Sequence, residues 1–355
     1  MPASRIRPLR ARPGARFHCA GGGMCCSDIH ALGPLTIGEA RRLRKHRHDS
    51  VVDGAARGAS ALAFASDGAC VFLDRGLCQL HAGMPAKPTA CRRFPYGLIA
   101  TPDGGRVTTV HRCPCRTLGE RRELDLEEAA RSLADPVGRM VITFRIENRV
   151  SLTDRTSISF ASYRAAEEEA MTRLMAGESP AAVFDLPEAL PTVDGLPYAS
   201  IGRTYLGSRV GSDGFDAALA WVGHAICRIA GEDPGAAPAR PWGRYFDDAE
   251  RTTTVVRPAG EVIGDWAADA LWDLSWAARW SLDAACTDLW VRWAAAGALA
   301  SWWIAGGSRP DRAAAEAVLV AETVGAMPLW HQAVNRMSRK RPRLPGRVER
   351  RGLAG

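Results

Sequence analysis

Outside one stretch this chain is poor in cysteine: only Cys227 and Cys286 lie beyond residue 115 of its 355 residues. A disulfide framework spanning the whole molecule is thereby excluded. Long uninterrupted apolar runs are absent too. The most apolar segment, 262–304, is broken by Asp265, Asp269, Asp273, Arg279, Asp283, Asp288 and Arg292. Its longest charge-free part, 293–307, is shorter than the roughly 20 residues that a helical span requires. No apolar h-region follows the N-terminal arginines, so no secretory signal peptide is read. Pro2, Pro8 and Pro13 interrupt the amphipathic helix of a mitochondrial-type presequence. Nucleotide and hydrolase signatures are also missing. There is no G-x-G-x-x-G unit, Walker A loop, H-E-x-x-H helix or G-x-S-x-G elbow. The C-x3-C-x2-C spacing of radical S-adenosylmethionine enzymes is absent as well.

What is present is an ordinary globular composition, 46% hydrophobic and 24% charged, in a chain long enough for two domains. The net charge of +7 is concentrated at the two ends. Residues 1–16 carry Arg5, Arg7, Arg10, Arg12 and Arg16 and read as a disordered basic arm. Residues 338–355, with Arg339, Lys340, Arg341, Arg343, Arg347, Arg350 and Arg351, read as a disordered basic tail. Such ends are usually solvated; binding to nucleic acid or to an acidic partner is the sharper alternative, and a nucleic-acid partner is not expected. Without a signal or a span, a reducing cytoplasmic setting is the expectation. Clustered thiols there bind metal or do redox chemistry rather than form disulfides.

Eight of the ten cysteines crowd into one stretch: Cys19, Cys25, Cys26, Cys70, Cys78, Cys91, Cys113 and Cys115. The pattern around them predicts little regular structure. Glycines at 21–23 allow a tight turn between Cys19 and Cys25. Thr36 and Glu39 form a capping box that opens a helix ending near His48. Residues 51–68 read as loop or weak helix. Cys70 to Leu80 reads as a short hairpin turning at Asp74-Arg75-Gly76, and Tyr96 to Val110 as a second one turning at 102–105. The thiols thus arrive in three groups: Cys19 to Cys26, Cys70 with Cys78, and Cys91 with Cys113 and Cys115.

Beyond residue 120 helical periodicity dominates, at 124–134, 162–176, 180–190 and 214–230. A 231–243 linker separates these from longer patterns at 262–304, broken near Ser281, and at 311–337. Met140 to Ile146 reads as a strand. The tryptophans at 266, 272, 276, 280, 290, 293, 302 and 303 read as core packing, as do Cys227, Cys286 and His224. The expected fold class is α+β, mostly α: an irregular cysteine-cluster domain with short hairpins over 17–120, then a mainly helical domain over 121–337.

Thiolates suit zinc, copper(I) or an iron–sulfur cluster. The spacings here fit neither the paired C-x2-C units of structural zinc nor the ferredoxin runs. Cys25 and Cys26 are adjacent, seven residues separate Cys70 from Cys78, and one separates Cys113 from Cys115. Two four-ligand sites, one multinuclear site, or one site with bystanders all remain open. Arg92 and Arg93 either neutralise such a centre or lie on the surface.

The ordered set F-x-C, a glycine-rich gap, Cys25-Cys26, C-x-F-L at Cys70, and C-R-R-F-P at Cys91 resembles the CxxCxxCC cysteine-cluster family over residues 17–116. That family is described as a zinc- or iron-chelating domain and includes the flagellin lysine N-methylases. The resemblance implies that Cys19, Cys25, Cys26, Cys70, Cys78 and Cys91 are metal ligands. Cys113 corresponds to a late family cysteine and Cys115 is an addition. Gly22 stands where the family has a further cysteine, so either His18, His81, His111, Cys113 or Cys115 replaces that ligand or the nuclearity differs. The resulting reading is a metal-binding protein holding an iron–sulfur cluster or zinc. The alternatives are an S-adenosylmethionine-dependent protein-lysine N-methylase, implied only by the resemblance, and a non-catalytic, zinc-stabilised partner-binding protein.

Overall fold

The Thr36 capping box forms as its spacing requires. The Thr36 hydroxyl accepts from Glu39 N–H at 3.2 Å, Glu39 Oε2 accepts from Thr36 N–H at 2.8 Å, and the helix Ile37–His46 follows. This and all that follows comes from a computed structural model, which describes residues 8–56, 58–80, 87–135, 137–187, 190–191, 198–207 and 213–339. The second hairpin also matches its pattern: Tyr96–Thr101 pairs antiparallel with Gly104–Thr109. The first is smaller than expected, with Leu73–Asp74 against Leu77–Cys78 and left-handed Arg75 and Gly76 in the turn.

Strand Leu9–Ala11 lies parallel to Gly104–Thr109, and Phe144–Arg145 flanks Tyr96–Thr101 on the other side. Two expectations change here. Residues 8–16 are not a disordered arm: Leu9–Ala11 is a strand, and Arg12 is 2% exposed. The sheet also runs past the boundary expected at 120, because Phe144–Arg145 belongs to it. Residues 51–68 are neither loop nor helix for the most part. Val51–Ala56 and Ala59–Leu62 form a hairpin whose apolar side closes on Leu43 and Phe72. Residues 1–7, His81 and the tail from 340 lie outside the described residues.

The remainder is helical. Helices Phe160–Met175, Gly214–Ile229, Ala259–Trp272, Leu282–Ala305 and Pro310–Gly325 pack around one core. Ser281 begins the Leu282–Ala305 helix, as the expected break near it requires. The pattern at 311–337 is two helices rather than one, Pro310–Gly325 and Pro328–Arg339, because Pro328 cannot continue the first. Helices Ala199–Gly207 and Gly243–Arg251 carried no clear pattern. The tryptophans are core residues: Trp266, Trp272, Trp276, Trp280, Trp290 and Trp303 are buried, and Trp302 stacks on His224 at 4.8 Å. Cys227 and Cys286 are buried as well. The fold is α+β and mostly α.

Among the described residues no single helix is long and apolar enough to cross a membrane. One pair bent by 84°, Pro310–Gly325 with Pro328–Ser338, passes on length and composition together. Most of the Pro310–Gly325 helix is buried inside the protein.

Helix Ala259–Trp272 crosses Phe160–Met175 so closely that a Cβ on Gly264 would meet the Leu174 carbonyl oxygen at 2.3 Å. Backbone cannot yield there as a flexible side chain would. Gly264→Ala is therefore expected to lower stability by about 1–3 kcal/mol, read as an earlier urea midpoint with an unchanged slope.

Candidate metal centre

The glycine-rich turn does what its composition allows. Gly21 and Gly23 take positive φ (75° and 72°), and a single 3-10 turn, Met24–Cys26, follows. The turn is stitched to the first hairpin by Cys70 N–H donating to the Cys26 carbonyl at 2.7 Å and Asp28 N–H donating to that of Gly68 at 2.9 Å. Cys78 is paired with Leu73 across that hairpin. Cys91 lies in the short helix Thr89–Arg93, whose entry is held by Glu39: its carboxylate accepts from Thr89 N–H and Oγ1.

Eight thiols thereby fall into two neighbourhoods rather than three. Cys25 and Cys26 Sγ are 3.9 Å apart, and Cys26 also bonds Cys78. These bonds raise the Cys26 pKa far above its ordinary value, while accepting from Cys26 lowers that of Cys25. Burial, followed by the fields of Cys70, Cys78 and Cys25, pushes Cys91 up to about 12. Cys70 is likewise raised, first by burial. The first neighbourhood is therefore Cys25, Cys26, Cys70, Cys78 and Cys91.

Cys113 and Cys115 do not join Cys91, as the hairpin had suggested; they meet Cys19. Cys19 donates to Cys115, whose Sγ also accepts from Ala20 N–H at 3.3 Å. Cys115, bonded in turn to Cys113, is pushed up to about 11, and Cys19 is raised by its bond to Cys115. Cys19 also lies within electrostatic reach of Cys25, which links the two neighbourhoods.

The Cys113–Cys115 segment is held from both sides by a buried ionic cluster. His111 Nε2 contacts Asp269 Oδ2 at 2.7 Å. Arg116, in the short helix Pro114–Thr117, donates to Asp265 Oδ2 at 2.5 Å and to Asp269 Oδ2 at 2.8 Å. Arg12 bonds the same two carboxylates from the first strand. Burial alone would raise both acids, but the guanidiniums win: Asp265 falls to about 2 and Asp269 lies well below its ordinary range. Two carboxylates one helical turn apart on Ala259–Trp272 thus anchor the last thiols of the cluster to the helical core.

Sequence reasoning missed this anchor, although Asp265 and Asp269 at i, i+4 in an apolar helix were the available signal. The cation that faces the thiols was missed as well. Lys87, not Arg92 or Arg93, lies in the electrostatic field of Cys19, Cys25 and Cys91. Arg92 donates to the Ala134 carbonyl at 3.1 Å and Arg93 to Thr143 Oγ1 at 2.6 Å.

At Gly22 a Cβ would meet no atom within 4 Å, so the backbone has room for the side chain this chain lacks. Of the residues considered as its replacement, His111 is tied to Asp269 and His18 is exposed. Cys115 lies against Ala20. No curated protein and no solved structure matches the chain. Residues 18–116 match the model of the CxxCxxCC family, which is described as a putative zinc- or iron-chelating domain.

Proposed function

We propose that this protein binds metal through Cys25, Cys26, Cys70, Cys78 and Cys91, with Cys19, Cys113 and Cys115 completing that centre or forming a second one beside it. One observation carries this reading. Three segments far apart in sequence bring five thiols into one neighbourhood. The donor set fits the group. Zinc–sulfur bonds of about 2.3 Å in a tetrahedron imply sulfur–sulfur edges of about 3.8 Å, and Cys25 and Cys26 stand 3.9 Å apart. Among the described residues, no three Cys, His, Asp or Glu side chains already converge in coordinating geometry. Loading therefore requires the remaining thiols to turn inward and shed their protons.

An iron–sulfur cluster is the reading we favour over zinc. One closed tetrahedral ion uses four thiolates, and eight lie within two linked neighbourhoods. The helical core serves as the frame that holds the last two ligands through Arg116 and His111. The family match bears on metal chelation; it does not extend to S-adenosylmethionine or lysine methylation.

Anaerobic purification with metal, sulfide and visible-spectrum analysis tests this. Iron with acid-labile sulfide and a broad visible band supports the cluster, whereas a colourless protein with stoichiometric zinc replaces it with the zinc reading. Cys25→Ser/Cys26→Ser is expected to lose most of the bound metal. Full retention of metal in that variant would remove the first neighbourhood from the site.

A further inference from the structure

A second feature lies away from the first thiol neighbourhood. A cavity of about 230 Å³ opens where helices Ala259–Trp272, Leu282–Ala305 and Pro310–Gly325 meet His111 and Arg112. Four buried polar atoms on its lining have no hydrogen-bond partner among the described residues: His111 Nδ1, Arg112 Nε, Trp280 Nε1 and Glu322 Oε2. His111 is 1% exposed and Trp280 7%. Arg112 Nε and Glu322 Oε2 stand 3.9 Å apart, an ion pair too long to be a hydrogen bond. Buried polar groups are almost always paired, so several unpaired on one wall call for an explanation.

Two of the carboxylates on the lining are held by cations of the protein itself. Asp269 belongs to Arg12, Arg116 and His111, and Asp288 to Arg292 and to Trp330 Nε1 at 2.6 Å. Asp273, with Ser275 Oγ donating to it at 2.6 Å, and Glu322 remain on the acidic side. Arg112 lies on the basic side, 3.9 Å from Glu322. Burial pushes Asp273 up to about 6, against the lowering hydrogen bond from Ser275 and the field of Arg279. The indoles of Trp276 and Trp280 supply apolar wall.

Acceptors and donors on this lining are therefore balanced, and the space is just below the roughly 300 Å³ at which drug-sized sites begin. We propose that the cavity binds a small zwitterion of the α-amino-acid class, its ammonium group against Glu322 and Asp273, its carboxylate on Arg112 Nε and Trp280 Nε1. This site does not depend on the metal reading, because none of these side chains is one of the eight thiols.

Calorimetric titration of the full-length protein with the common L-α-amino acids, one at a time, tests it. Saturable one-to-one binding of at least one amino acid is expected, with ethylamine and propionate at least tenfold weaker. Trp280→Phe keeps the ring and removes only the N–H donor; it should weaken binding about tenfold, in line with one lost bond to a charged group. Glu322→Gln should weaken it similarly. Circular dichroism confirms that each variant is folded. No saturable binding up to millimolar concentration would mean that water alone satisfies these groups, and would overturn the proposal. Equal affinity for ethylamine or propionate alone, or affinities unchanged in both variants, would overturn it too.

Discussion

Arg116→Met is expected to lower folding stability by about 3–5 kcal/mol at neutral pH, the loss typical of breaking a buried ion pair from one side. Arg116 is 1% exposed and bonds both Asp265 and Asp269. Without it the two carboxylates share Arg12, with His111 beside Asp269 and Arg257 no nearer to Asp265 than 3.8 Å. The side-chain volume is roughly kept, so the cost is that of uncompensated charge rather than of a cavity. The pH dependence follows with a definite sign. Asp265 and Asp269 titrate lower in the folded protein than in the unfolded chain, where a carboxyl sits near 3.9. Their contribution is therefore fully present above about pH 5 and fades as pH falls further, toward about 2 for Asp265. In Arg116→Met the depression of Asp265 is reduced most, because Arg116 is its largest counter-charge, while Asp269 keeps Arg12. The stability gap between wild type and variant should thus be widest near pH 7 and shrink by pH 3, as read from urea unfolding at both. A gap that stays constant with pH would mean that the loss comes from packing. Asp265→Asn in the variant background should recover part of the loss by removing one of the stranded charges.

That ionic cluster also shows where the sequence stopped being readable. Local rules worked wherever the decisive partners were neighbours in the chain. The Thr36/Glu39 box, the turn at 102–105 and the start of a helix after Ser281 all depend on residues a few positions apart. Arg12 looked like one more solvated arginine because its partners lie some 250 positions away. Asp265 and Asp269 looked like polar interruptions of an apolar helix for the same reason. The thiols repeat the lesson. All eight positions stood out by composition and spacing. Their grouping depended on which loop meets which in space, and it put Cys91 with Cys70 and Cys78 while sending Cys113 and Cys115 to Cys19. The hairpin at 51–62 was hidden by small residues that carry no alternating pattern. Its strands are defined by closure over Leu43 and Phe72 rather than by propensity.

Stripping the metal should unfold the thiol region while leaving the helical core intact. The first neighbourhood rests on a small apolar cluster, Leu32, Leu35, Leu43, Leu62, Phe72 and Leu80, beneath strands as short as two residues. Isolated two-stranded hairpins are marginal in water. Structural zinc, by contrast, contributes about 10–16 kcal/mol of apparent binding free energy in small peptides. Folding of residues 17–80 should therefore be coupled to metal occupancy. The helical core has its own large buried set, including Leu319, Val320, Trp330 and Val334, and does not draw on the thiols. Hydrogen exchange read by mass spectrometry distinguishes the two regions. Chelation under reducing conditions, or the Cys25→Ser/Cys26→Ser change, should abolish slow exchange across 17–80 and leave it in 259–337. The 113–117 segment should be intermediate, because Arg116 and His111 still tie it to Asp265 and Asp269. If protection across 17–80 survives complete metal removal, the centre is mounted on a fold that stands without it. The thiols would then be kept for what the metal does rather than for what it holds together.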